Sequence, residues 1–255
     1  MVQTLRKPEI IQIARREGKV TVEGLVAHFN VTPQTIRRDL AELADSGQLE
    51  RVHGGAILPS STVNIAYNER RQLNQTSKTD IARRVAPLIP DDCSVFLNIG
   101  TTTEAVANEL VHHSGLMLVT NNLNIAGIFS NHPSNELVLT GGTLRKSDGG
   151  LVGGFATETV ERFRFDFAVI GCSALHPGGD ILDFDIREVG VSRAIIERSD
   201  CVILATDLSK LGRKAPIKIA SLAEVDMLAT DVAPPEDYAA LCREHGTEIL
   251  VAGET

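Results

Sequence analysis

The stretch that decides the reading is Thr32-Pro33-Gln34-Thr35-Ile36-Arg37-Arg38-Asp39-Leu40. Thr32 is suited to cap a helix that opens on Pro33. A hydroxyl accepts from the free N–H groups of a first turn, and proline has no N–H to leave unpaired there. Ile36, Leu40 and Leu43 then share one face and must pack inward. Gln34, Arg38 and Ala41 point the other way, flanked by Thr35 and Arg37. An outward amide, two guanidinium groups and hydroxyls are the groups that read purine edges and hold phosphates in a major groove.

Two short helices lead into this one. The first is expected from Pro8 to Glu17, with Pro8 in its first position and Ile10, Ile13 and Ala14 on its apolar face; Gly18 stops it. Thr21 caps the second, in which Val22, Leu25, Val26 and Phe29 recur at helical spacing before an Asn30-Val31 turn. Downstream, Ser46-Gly47 ends the third helix and Gln48 to Val52 reads as a strand. His53-Gly54-Gly55-Ala56 reads as a turn and Ile57-Leu58 as the return, which makes a β-wing. Residues 1–58 therefore read as a winged helix-turn-helix, a DNA-binding domain. Its candidate DNA contacts are Thr32, Gln34, Thr35, Arg37 and Arg38, with Arg51 and His53 from the wing.

Charge does not make this case by itself. The chain carries −8, divided into +1 over residues 1–58 and −9 over the remainder. A length of 255 residues suits a small reader and one larger domain. Cys93, Cys172, Cys201 and Cys242 form no C-x-x-C pair and read as buried, reduced thiols. No signal peptide, membrane span, metal site or cofactor is expected, which points to the cytoplasm.

Residues 59–77 read as a linker opening on Pro59-Ser60-Ser61-Thr62. From residue 78 to 255 helices alternate with short apolar strands. A helix is expected from Ile81 to Leu88, and strands at 95–97, 116–119, 137–139, 167–170 and 202–205. That alternation predicts an α/β domain with a parallel sheet covered on both faces. Each strand runs into small or hydroxylated residues, at the place where open α/β sheets bind ligands. Gly100-Thr101-Thr102-Thr103 is the best phosphate cradle, since a helix N-terminus offers free N–H groups to an anion. With Asn98, Asn121, Gly141, Glu188 and Asp207, and with Arg145 and Lys210 as cations, these loops suggest a site for a phosphorylated small molecule.

The helix-turn-helix run quoted above, followed by Arg51-Val52-His53-Gly54-Gly55-Ala56, resembles the DeoR family of bacterial regulators. Asn98-Ile99-Gly100-Thr101-Thr102, Val119 to Asn124, Gly141 to Arg145 and Asp207-Leu208-Ser209-Lys210 resemble that family's sensor domain. The resemblance implies a three-layer α/β fold similar to ribose-5-phosphate isomerase, with a phosphorylated sugar or polyol as inducer. Gly54 to Ser61, Arg145 to Gly150 and Leu182 to Asp185 are similar to the branch that responds to glycerol 3-phosphate. The family has Asp where this chain has Asn98, and an amide can donate to a ligand oxygen where a carboxylate cannot.

The leading expectation is thus a repressor, dimeric or tetrameric, that leaves operator DNA when glycerol 3-phosphate binds. A second keeps the repressor and changes the phosphosugar. A third is a phosphosugar isomerase or deaminase using Asp183, Asp185, Glu188, Asp207 and Lys210 as acid–base groups. Ligand hydrogen bonding, capping or surface pairing accounts for those carboxylates more simply, so no catalytic residue is assigned.

Overall fold

A computed structural model describes residues 3–59 and 64–253. Ser60, Ser61 and Thr62, read above as linker, lie outside the described residues. The chain divides into two compact units, residues 1–73 and 74–255.

The first unit holds α1 (Gln3–Glu17), β1 (Lys19–Thr21), α2 (Val22–Phe29), α3 (Pro33–Asp45), β2 (Glu50–Val52), β3 (Gly55–Ile57) and α4 (Tyr67–Gln72). Both expected caps are present. Thr21 Oγ1 accepts from Gly24 N at 3.1 Å and Thr32 Oγ1 from Thr35 N at 3.3 Å. Ile10, Ala14, Val20, Leu25, Phe29, Ile36, Leu40 and Leu43 form one buried cluster. Three expectations are corrected here. The first helix begins at Gln3, so Pro8 lies inside it rather than at its start. The return strand begins at Gly55, because the turn needs only His53-Gly54, with Gly54 at φ 73°. The wing has a third strand, β1, and the order is β1-β3-β2. That third strand explains Gly55: a Cβ there would stand 1.9 Å from the Val20 carbonyl oxygen.

The second unit contains α5 (Gln75–Val85), β4 (Ser94–Leu97), α6 (Thr101–Leu110), β5 (Met117–Thr120), α7 (Leu123–Phe129), β6 (Glu136–Leu139), β7 (Thr143–Arg145), β8 (Gly150–Val152) and α8 (Gly154–Val160). It continues with β9 (Phe165–Ile170), β10 (Ala174–Leu175), β11 (Asp180–Asp183), α9 (Ile186–Glu197), β12 (Ser199–Ala205), β13 (Ile217–Ser221), β14 (Met227–Thr230), α10 (Glu236–His245) and β15 (Glu248–Val251). The helix expected from Ile81 starts earlier, at Gln75, so α4 and α5 occupy much of the segment read as linker.

A parallel sheet runs in the order β15-β14-β12-β9-β4-β5-β6. Alternate residues supply its two faces. Phe96, Val119, Ala168, Ile170 and Leu204 pack with Ala156, Val160, Val191 and Ile195 of α8 and α9. Val95, Leu97, Leu118, Val169 and Ile203 pack with Ile81, Val85, Val106, Leu110 and Ile125 of α5, α6 and α7. The chain winds outward from β4 through β5 to β6, and from β9 through β12 and β14 to β15. The topological switch point therefore lies between β4 and β9, where such sheets open a crevice at their carboxyl ends.

One buried ion pair ties α1 to α3. Arg6 Nη2 donates to Asp39 Oδ1 at 3.1 Å and its Nε donates to Oδ2, both side chains being at most 6% exposed. Removing one partner strands a charge in the core. Asp39→Ala is expected to cost about 3–5 kcal/mol, read by chemical denaturation of the full chain followed by circular dichroism. Replacing both partners by apolar residues should recover most of that loss.

Candidate functional site

The reader surface is carried by α3. Ile36, Leu40 and Leu43 are buried beneath it, while Gln34, Arg37 and Arg38 are exposed. Thr32 and Thr35 are joined by their hydroxyls at 2.9 Å, so both have a structural task in the first turn. Arg38 Nε donates to Glu42 Oε1 at 2.9 Å. Glu42 also accepts from Lys7, and these two cations hold its carboxyl below the usual range. The contact uses Arg38 through Nε and fixes the guanidinium's direction. On the wing, Arg51 and His53 are exposed on either side of buried Val52.

The second site is built at the carboxyl ends of the sheet. Gly100 precedes α6, so the N–H groups of Thr101, Thr102 and Thr103 belong to the first turn, which has no earlier carbonyl to bond. Thr103 is fully buried, and its hydroxyl donates to the carbonyls of Asn98 at 2.6 Å and Gly100 at 2.8 Å. Asn98 is likewise committed: Nδ2 donates to Ser192 Oγ at 2.9 Å and Oδ1 accepts from Ile99 N at 2.7 Å. Both side chains therefore shape the loop, and the anion donors the loop offers are its backbone N–H groups. Asn121 Nδ2 donates to Leu151 O at 3.2 Å, and Leu151 N donates to Asn121 O at 2.7 Å. These bonds bind the β7–β8 hairpin to the end of β5. The hairpin also sits close on the first loop, since a Cβ on Gly150 would stand 2.5 Å from Ile99 Cδ1. Gly141 is exposed, and it is Gly142 that takes a positive φ, of 127°.

Arg145 departs from its expected part. It does not stand as an available cation. Nε and Nη2 hold Asp148 at 2.9 and 2.8 Å, Nη1 holds Asp185 at 3.0 Å, and Nη2 also reaches Glu188. Burial works against its charge, but Glu188 and Asp148 keep it firmly protonated. Burial pushes the Glu188 carboxyl up to about 8, and the nearby Asp183 adds to that rise against the pull of Arg145. Asp185, bonded chiefly by Arg187, falls to about 2. Asp183 accepts from Ser173 Oγ at 2.7 Å and from the Phe184 and Asp185 N–H groups.

Asp207 caps the turn after β12, accepting from Ser209 N at 3.0 Å and from Asn74 Nδ2 at 3.1 Å. Lys210, Asp183 and Asp207 all act on Cys172, whose thiol burial drives up to about 11. Cys172, just past β9, donates to Thr206 Oγ1 at the end of β12 at 3.5 Å. Cys93, Cys172 and Cys201 are only half-buried, short of the full burial expected, and Cys242 is buried; all four are free thiols. Three further residues belong here and escaped the sequence reading. Glu104 is buried and accepts from Asn122 Nδ2 and Asn124 Nδ2 at 3.0 Å each. Asp148 clamps Arg145 as described. Arg213 donates to Ser173 O at 3.3 Å and lies 5.7 Å over the Phe184 ring. Asp148 was legible as a residue of the Arg145–Gly150 run. Arg213 lies just past Asp207 to Lys210, with no local pattern to mark it.

Residues 6–62 match the DeoR-like helix-turn-helix domain and residues 73–232 the DeoR C-terminal sensor domain. The chain belongs to the DeoR family. Among the relatives of this DeoR-family chain, the glycerol-3-phosphate regulon repressor of Escherichia coli K12 is 43% identical over 98% of this chain and 99% of its own. That of Haemophilus influenzae is 43% identical over 98% of both chains. Among solved structures, the Pyrococcus horikoshii OT3 translation initiation factor eIF-2B aligns over 93% of this chain and 86% of its own, with a TM-score of 0.52 and 10% identity. That likeness concerns the fold alone. A ribose-5-phosphate isomerase in complex with phospho-erythronic acid aligns over 54% of each chain, with a TM-score of 0.40 and 18% identity. The DeoR-family chain is a DNA-binding regulator and not an enzyme. Among the described residues no helix is long and apolar enough to cross a membrane.

Glu188 makes the sensor's stability depend on pH. An unfolded chain releases this proton near pH 4.5, whereas the folded one holds it to about 8. Between those values the native state binds the extra proton, so this group's contribution falls as pH rises and levels off above about 8. Glu188→Gln is expected to gain stability relative to the parent as pH climbs from 5 to 8, seen in paired melting curves. A difference that stays constant with pH would mean that Glu188 is ionised throughout.

Proposed function

We propose that this chain is the operator-binding repressor of a glycerol 3-phosphate regulon, released from DNA by glycerol 3-phosphate. The observation that carries the reading is the near full-length similarity to the glycerol-3-phosphate regulon repressors, with both their domains. The geometry supports it at each end. Gln34, Arg37 and Arg38 stand exposed on a helix whose opposite face is locked into the core. The first turn of α6 supplies backbone N–H groups for a phosphate, and Lys210 supplies a cation among the strand ends. A cytoplasmic location goes with this role.

In this reading α3 enters the major groove, and Arg51 and His53 meet the backbone or the minor groove. Phosphate settles on Thr101, Thr102 and Thr103, with Gly100 and Gly141 leaving room beside it. The carboxylate cluster around Arg145, including Glu188, shapes the wall of the crevice. Release requires that the effector bind the DNA-free state more tightly than the DNA-bound one. Two readers in a dimer or tetramer match half-sites spaced by about 10 bp or its multiples.

Arg38→Ala is expected to weaken operator binding by about 1–3 kcal/mol if it reads a base. Titrations against operator and scrambled DNA distinguish this from a phosphate contact, which would weaken both alike. Lys210→Ala should leave the operator footprint intact and make it insensitive to glycerol 3-phosphate. A parent footprint that persists at saturating glycerol 3-phosphate would overturn the inducer assignment.

A further inference from the structure

Two polar atoms at neighbouring strand ends have no hydrogen-bond partner although both are buried: Asn121 Oδ1 and Thr140 Oγ1. Asn121 is 0% exposed and Thr140 2%. The register pairs Thr120 of β5 with Leu139 of β6, and Thr140 N donates to Thr120 O at 2.9 Å. The next residues along, Asn121 and Thr140, therefore stand side by side on adjacent strands about 4.8 Å apart. They project to the same face as Val119 and Val138, the face covered by α8 and α9. Asn98, one residue past β4, reaches that side too, where it donates to Ser192 of α9.

The chemistry of the pair is specific. Leu151 O can only accept, so it must face the Asn121 NH2 group, which leaves Oδ1 as the free atom. That oxygen needs a donor. The Thr140 hydroxyl both donates and accepts. A fully ionised phosphate ester has only acceptor oxygens and cannot serve Asn121 Oδ1. An alcohol serves both: its hydrogen goes to Asn121 Oδ1 while its oxygen accepts from Thr140 Oγ1–H. Burying such atoms unpaired is costly, and a ligand hydroxyl that pairs both would remove that cost.

We propose that Thr140, with Asn121, is a specificity residue of the sensor that reads a hydroxyl group of a polyol phosphate. This inference rests on the effector reading given above. It divides the recognition of one ligand between the α6 turn, which takes the phosphate, and the ends of β5 and β6, which take an alcohol.

The test compares glycerol 3-phosphate, n-propyl phosphate and inorganic phosphate by calorimetry on the full chain. The parent should bind glycerol 3-phosphate more tightly than n-propyl phosphate, which has the phosphate and the carbon chain but no hydroxyl. Thr140→Val should bind glycerol 3-phosphate about tenfold more weakly, the scale of one lost hydrogen bond, with its affinity for n-propyl phosphate unchanged. Thr140→Ser should restore the preference. The melting temperature of ligand-free Thr140→Val should not fall, because the hydroxyl it loses has no partner to abandon. If that variant fails to fold, Thr140→Ala carries the same comparison. A parent that ignores glycerol 3-phosphate overturns the effector reading and this inference with it. A parent that binds it, beside a Thr140→Val that keeps the same preference, overturns this inference alone.

Discussion

The sensor's chemistry depends on one constraint: a parallel sheet covered by helices on both faces has nowhere but its ends to display polar groups. Phe96, Val119 and Leu204 fill one face and Leu97, Leu118 and Ile203 the other, so the strands themselves must be apolar. Buried polar residues gather at the strand ends, at Asn98, Thr120, Asn121, Thr140 and Thr206. The winding order then sets which ends meet. β4 and β9 part in opposite directions, and the loops after them open beside each other. The topology thus places the candidate crevice before any side chain is chosen.

Side chains then divide the work. Thr103 spends its hydroxyl within the loop that starts α6, and Asn98 spends its amide on that loop and on Ser192 of α9, so neither side chain is open to a ligand. The β7–β8 hairpin is held by Asn121 and lies against Ile99, whose side chain would have to shift to admit a Cβ at position 150. Arg145 sits at the end of that hairpin's first strand and gathers Asp148, Asp185 and Glu188. A positive charge surrounded by carboxylates is a joint between the hairpin and the start of α9, and offers little net attraction to a phosphate. On the proposed reading the counter-charge for an anion falls to Lys210, in the turn that Asp207 caps.

What the sequence disclosed follows the range of the interactions. Caps and turns are local, so Thr21, Thr32 and the α3 face of Ile36, Leu40 and Leu43 could be read directly. The apolar strands through Ala205 were visible for the same reason. β1 was missed because Lys19 to Thr21 is too short to show alternation and pairs with residues far along the chain. The start of α5 was missed because Asn74 takes a left-handed conformation and offers no capping bond, and the polar first turn has no apolar period. β14 and β15 went unread, although Met227 to Thr230 and Ile249-Leu250 are apolar enough. The ion pairs are the hardest class. Arg6 and Asp39 are 33 residues apart, and Arg145 and Glu188 are 43 apart. Periodicity is silent about such pairs, which is why Arg145 read as a free cation and proved to be a bound one.

The near-neutral reader shapes how regulation can work. A module carrying +1 neutralises few DNA phosphates and gains little sequence-independent affinity from counterion release. On the proposed reading its grip on an operator comes from two readers engaging together, and such pairing multiplies affinity by roughly 10²–10⁴ without a new contact. An effector then has no need to alter the α3 surface; it has only to spoil simultaneous engagement. Asn74, the sensor's first residue and the point at which the chain arrives from the reader unit, donates to Asp207 at the end of β12. Asp207 also caps the turn that carries Lys210. Asp207 therefore joins the first residue of the sensor to the turn that holds Lys210.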